Sequence, residues 1–179
     1  MLSASSLPVL GFAAYSGVGK TTLLAKLLPL FISRGLRVGI VKHAHHSFDI
    51  DHPGKDSYEL RKAGAAQMLI ASERRWALMA ENEAAQEPQL PPLLARLDHD
   101  KLDLILVEGF KHEPFAKIEL HRSDLPHPLL FPGDATIIAM ASDIPIAHEH
   151  DITRLDLNNP SAIVDFIVEY LDLHNAAPL

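Results

Sequence analysis

Apolar residues cluster along this chain in short runs separated by polar or proline-rich stretches, and the runs come in two periods. Residues 7–13 and 102–107 are almost continuously apolar, the pattern of strands covered on both faces. Residues 36–41 and 136–141 read the same way, and 116–121 alternates as a strand. Between the first two strands, residues 21–34 place Leu23, Leu24, Leu27, Leu28, Phe31 and Ile32 at helical spacing, with Pro29 expected to bend the helix and Gly35 to end it. Residues 44–54 are polar and read as a loop, 55–64 as a short helix, and 68–71 and 76–80 as short strands. The acidic, proline-bearing stretch 81–92 reads as a surface connection, and a helix is expected over 92–97. Residues 122–134 carry three prolines and a glycine, the composition of a loop. A short edge strand is expected at 155–157. Asn159-Pro160 then opens a closing helix with Ile163, Phe166, Ile167, Tyr170 and Leu171 on one face. Strands alternating with helices predict an α/β sheet, parallel at its centre, whose ligands gather at the carboxyl ends of the strands. Lys20, Lys42, Glu108 and Asp143 all fall at or just after such ends.

The 179 residues suit one domain with a substantial core. The net charge is −7 and no long Lys/Arg run occurs, which disfavours general nucleic-acid binding. The chain has no cysteine, so disulfides and thiolate metal sites are excluded. No apolar stretch approaches the ~18 residues of a membrane span, and the N-terminus lacks the pattern of a secretory signal. A cytoplasmic location is the expectation.

The strongest chemical signal is the run Ala-Tyr-Ser-Gly-Val-Gly-Lys-Thr at 14–21, between the first strand and the first helix. Strand, glycine-rich turn and helix start are the setting a phosphate-binding loop needs. Gly17 and Gly19 allow a tight turn whose N–H groups point at an anion, with Ser16 and Val18 in the same cradle. The helix start adds its partial positive charge. Lys20 is expected to reach the β- and γ-phosphates, the Thr21 hydroxyl to ligate Mg²⁺, and Thr22 to meet another phosphate oxygen. Ala14 stands where the usual pattern has glycine, and it fits if its φ is negative. The 102–109 segment has the form of a second nucleotide motif, an apolar strand delivering Glu108 beside the Mg²⁺, with the Gly109 N–H near a γ-phosphate. Asp49 and Asp51 lie in the loop after the second strand, where such proteins meet Mg²⁺ through water; a solvated loop acid is the alternative. Asp143 is placed either to accept two N–H bonds from guanine or to cap a turn before Ile144-Pro145. His43, His45, His46 and His52 crowd one loop without helical ligand spacing. With Lys42, Lys55, Arg61, Lys62 and Lys111 they suggest an anion-binding face, and a nucleotide-dependent metallochaperone is the alternative function. Trp76 reads as a core or subunit contact. A small-molecule kinase would want an arginine-bearing lid, and 122–134 is poor in basic residues.

Several segments together resemble the molybdopterin-guanine dinucleotide biosynthesis adapter (MobB) family. They are the phosphate loop through Thr22, Val-Lys-His-Ala-His-His at 41–46 and the segment 51–66 that begins Asp-His-Pro-Gly-Lys-Asp-Ser. Arg-Trp-Ala-Leu-Met at 75–79, the segment 101–112 containing Val-Glu-Gly-Phe-Lys, and Ala-Ser-Asp at 141–143 complete the set. The resemblance covers most of residues 7–145, and the part after about 123 matches more loosely. It implies a P-loop NTPase-like α/β fold in one nucleotide-binding domain, 1–179, with a mostly parallel central sheet, flanking helices and some antiparallel strands. It also implies a GTP-binding homodimer with Mg²⁺ and slow GTPase activity. Its partner would be the guanylyltransferase that attaches GMP to molybdopterin, with the basic loop meeting the pterin phosphate or that partner.

Overall fold

The computed structural model describes residues 7–44, 48–82, 84, 86–146 and 151–173. The chain divides into two compact units, Met1–His43 with Gln89–Leu179, and Ala44–Pro88.

The first unit is a six-stranded, wholly parallel sheet. In chain order its strands are β1 (Val9–Ala13), β2 (Val38–Lys42), β5 (Leu104–Glu108), β6 (Lys117–His121), β7 (Ile137–Ser142) and β8 (Thr153–Asp156). They lie side by side as β2-β5-β1-β6-β7-β8. The second unit holds β3 (Gln67–Ala71) and β4 (Trp76–Ala80), paired antiparallel with Leu69 opposite Leu78 and Ala71 opposite Trp76, and the helix α2 (Asp56–Lys62). The remaining helices are α1 (Lys20–Ile32), α3 (Leu90–Leu94) and α4 (Pro160–Tyr170).

The continuous apolar runs are explained by burial on both faces. Leu104 and Leu106 of β5 join Leu10, Phe12, Ile118, Leu120, Ala139 and Ala141 in a cluster packed under α1 and α4. Ile105 and Val107 turn to the opposite face, with Val41, Leu90 and Phe110. The polar residue that interrupts the run ahead of β5 has a structural reason. Asp103 accepts from the backbone N–H of Arg37 (2.8 Å) and from its guanidinium (2.8 and 3.0 Å), tying the entrances of β2 and β5 together. Those bonds hold the Asp103 carboxyl below its usual range.

Helix ends follow local chemistry. After α1, Gly35 takes φ 77°, its N–H reaches Ile32 O and that of Leu36 reaches Phe31 O, the paired closure only a left-handed residue permits at little cost. The Asn159 side chain accepts from the Ala162 N–H (3.2 Å) and caps α4, as its Asn-Pro start predicts.

Four expectations shift. α3 begins two residues earlier, because Pro91 and Pro92 fit a first turn whose N–H groups need no helical partner. β8 sits at Thr153–Asp156, where Leu155 pairs with Ala141. α4 buries Ile163, Val164, Ile167 and Val168, while Phe166 packs partly buried against the margin of that cluster and stacks on the exposed Tyr170. On α1, Leu23, Leu24, Leu27 and Phe31 are buried but Ile32 is 65% exposed. The helical spacing was too wide a stripe; one helix against one sheet covers only its central ridge.

That contrast predicts the effect of truncation. Leu27→Ala should cost about 3 kcal/mol of stability in urea unfolding, and Ile32→Ala less than about 1 kcal/mol.

Candidate functional site

Every strand of the first unit runs the same way, so their carboxyl ends share one edge of the sheet. β1 has β5 on one side and β6 on the other, which makes its end the point where the chain's connections diverge. The register puts Phe12 beside Glu108, and Glu108 beside Lys42.

The glycine-rich segment turns as expected. Gly17 and Gly19 take φ 83° and 102°, values that L side chains avoid. Ala14 is not among the residues of positive φ, so the missing first glycine is tolerated. Val18 is buried in the main cluster and anchors the loop from below. Gly19 is the N-cap of α1 and has no capping side chain, which leaves the helix start open to an external anion. Lys20 lies across the loop, donating to Ala14 O (3.0 Å) and Tyr15 O (3.1 Å).

At the centre of the site, Thr21 Oγ1 donates to Glu108 Oε1 at 2.8 Å. Lys42 Nζ stands 3.1 Å from the same hydroxyl and 3.2 Å from the same carboxylate oxygen. Lys20 loses a proton more readily than a free lysine, chiefly because it is partly buried; Glu108 opposes the shift, and the charges of Lys111 and Lys42 add to it. An edge where three ammonium groups meet one carboxylate calls for an anion. The oxygen pair also fits Mg²⁺. An octahedral shell at about 2.0–2.1 Å sets neighbouring ligands about 2.9 Å apart, close to the 2.8 Å between Thr21 Oγ1 and Glu108 Oε1.

Past β5, Gly109 has φ 100°, and a Cβ there would lie 2.7 Å from His43 Cβ. Phe110, at φ 53°, stacks on the His43 ring at 4.8 Å between centroids. Glycine at 109 is therefore required both by its backbone angle and by the closeness of the β2 end.

Arg122 was not singled out by sequence reasoning, yet it reaches the glycine-rich loop: its Nε donates to Val18 O at 2.9 Å. Its position directly after the β6 strand pattern, one residue past a strand end, was the available signal. A second missed contact is the Tyr15–His127 stack, 4.5 Å between centroids and 13° between planes, with Lys111 Nζ 5.4 Å from the Tyr15 ring. Asp143 lies at the end of β7, where its carboxylate accepts from Ser123 N (2.9 Å) and Ser123 Oγ (3.3 Å). The Ser123 N–H is the main reason its carboxyl sits below the usual range, and the nearby Arg122 charge adds to it.

The remaining candidates belong to the second unit or lie outside the described residues. Asp51 belongs to the second unit, where Oδ1 accepts from the His52 N–H (2.9 Å) and the enclosed Oδ2 has no hydrogen-bond partner. Asp49 is paired there with Arg61, which also binds Glu81 (2.8 Å). His45 and His46 lie outside the described residues. Among the described residues no group of three His, Cys, Asp or Glu is arranged to hold a metal ion, and no helix is long and apolar enough to cross a membrane.

The family model described as "Molybdopterin guanine dinucleotide synthesis protein B" (MobB) matches residues 9–143, from the first residue of β1 to the carboxylate after β7. The chain belongs to the MobB family. It is 52% identical over 176 residues to the molybdopterin-guanine dinucleotide biosynthesis adapter protein of Escherichia coli, covering 98% of this chain and 99% of the relative. The adapter protein of the same name from Haemophilus influenzae is 44% identical, covering 93% and 91%. Among solved structures, a crystal structure of molybdopterin-guanine biosynthesis protein B superposes with a TM-score of 0.71 at 23% identity, covering 92% of this chain and 99% of the other. Bacillus subtilis MobB superposes at 0.70, with 23% identity and coverages of 90% and 96%. These structures share the fold, a mostly parallel sheet with flanking helices of the P-loop NTPase type.

The turn after β5 yields a prediction. Gly109→Ala should lower stability by about 2 kcal/mol or more in thermal or urea unfolding, since neither the backbone angle nor the His43 Cβ can give way freely.

Proposed function

We propose that this protein is a Mg·GTP-binding adapter in the synthesis of molybdopterin guanine dinucleotide, working in the cytoplasm as a homodimer beside a guanylyltransferase. One observation carries the nucleotide reading: a glycine-turned, uncapped helix start and the Lys20–Thr21–Glu108–Lys42 cluster meet at one edge of a parallel sheet. The adapter reading is supported by the names of the E. coli and H. influenzae relatives.

In this reading the amides of Ser16, Gly17, Val18, Gly19, Lys20, Thr21 and Thr22 cradle the β-phosphate. Lys20 exchanges its two carbonyl partners for phosphate oxygens, a trade of neutral acceptors for charged ones. Thr21 and Glu108 hold the metal or one of its waters. Mg²⁺ held there would supply positive charge against the negative charge of the phosphates. The Gly109 N–H faces the γ-phosphate, and Glu108 orients a water for slow hydrolysis. Asp143 reads guanine through N1 and N2, a contact adenine lacks; Ser123 fixes the direction of its carboxylate.

Calorimetric titration with GTP and ATP tests this. GTP should bind more tightly, Lys20→Ala should weaken it by about 100-fold or more, and Asp143→Ala should weaken GTP selectively. Equal affinity for the two nucleotides would sink the guanine assignment. For hydrolysis, Glu108→Gln should slow turnover by about 100-fold while changing GTP affinity less than about tenfold. The opposite pattern would make Glu108 a structural residue.

A further inference from the structure

Lys42 is bound twice at the centre of the site, and the nucleotide reading gives its ammonium no task. In the β2–β5 register it stands directly beside Glu108. The Thr21 hydroxyl gives its proton to Glu108, so its lone pairs are left for Lys42. The ammonium thus faces two oxygens that are 2.8 Å from each other, the pair that suits a divalent ion. Both of its contacts, 3.1 and 3.2 Å, are long for charge-assisted bonds. Its side chain is 51% exposed, against 11% for Glu108. A flexible four-carbon stem anchored at a strand end can leave such a position at little cost.

We infer that Lys42 is a resident counter-cation: its ammonium stands between Thr21 and Glu108 in place of a divalent ion, and it swings out toward the terminal phosphate when the nucleotide brings its own metal. The inference rests on the nucleotide reading above and adds a property to it. Taken as a whole residue, Glu108 is only 8% exposed. A carboxylate so enclosed is expensive to leave unpaired, and the lysine keeps it paired in the metal-free protein. The cost of admitting a nucleotide without its metal therefore falls, because a positive charge is already at the site.

The test is the affinity for GTP measured by calorimetry in excess EDTA and in excess Mg²⁺, each Kd taken on the intact protein. The ratio of the two is the readout. In the wild type it should stay within about tenfold. Lys42→Met keeps the stem and removes the charge; it should lose affinity mainly in EDTA, so the ratio grows by a further tenfold or more, about the size of one charge-assisted hydrogen bond. Lys111→Met removes a neighbouring charge that touches neither oxygen, and it should weaken GTP equally in both buffers. An unchanged ratio in Lys42→Met overturns the inference, as does an equal rise in Lys111→Met, which would make the effect one of overall charge. A wild type that binds GTP in neither buffer overturns the nucleotide reading itself and this inference with it.

Discussion

One enclosed carboxylate organises the working edge of this molecule. Glu108 ends the most buried strand of the sheet, flanked by β1 and β2 in parallel register. A charge with so little access to water must be compensated by the protein. The compensation comes from both neighbours: Thr21, at the start of the helix that follows β1, and Lys42, the last residue of β2. The same demand brings the glycine-rich loop, the Thr21 and Glu108 oxygens and the Lys42 ammonium to a single place. Strand order and register supply the geometry, and the carboxylate supplies the reason for the partners chosen.

The parallel arrangement also explains why the two sides of the site differ. Toward β2 and β5 it is built from short strand-end contacts: Lys42 to Glu108, and His43 against Gly109 and Phe110. Toward β6 and β7 it is built by the long loop that opens with Arg122. That loop is stitched to Asp143 through Ser123, stacks His127 on Tyr15, and is held at its far end by the buried Glu119, which accepts the Leu130 and Phe131 N–H groups at 2.8 Å each. Burial pushes the Glu119 carboxyl above its usual range, with those two N–H groups pulling the other way. Its neighbour on the same strand, Lys117, is only 1% exposed and is met by Asp134 at 3.1 Å and Glu113 O at 2.7 Å. The proline-rich segment is thus fastened to β6 from beneath.

Much of this architecture was legible in the residues. The continuous apolar runs gave the central strands, and Gly35 and Asn159 gave helix ends, because burial on both faces and capping are local demands with few solutions. Glu108 was singled out as the acid ending an apolar strand, and it lies beside Thr21 at the start of α1. What escaped was set by tertiary contact. Nothing near Arg122 in the chain says that it spans to Val18, 104 positions away. Lys117 and Glu119 sit inside a run that alternates like a half-exposed strand, and only the neighbouring loop shows why both are buried. Ile32 and Tyr170 looked like core because helical spacing marks a face without marking how wide the opposing surface is.

On the nucleotide reading proposed above, the bond from Arg122 to Val18 has a consequence for how costly it is to receive an anion. A trans peptide unit points its carbonyl and its N–H in opposite directions. With the Val18 oxygen drawn to the guanidinium, the plane joining Val18 to Gly19 can no longer rotate freely, and the Gly19 amide hydrogen faces away from the arginine before any guest arrives. The entropy of freezing that donor is lost once, during folding, and is not charged again at each association.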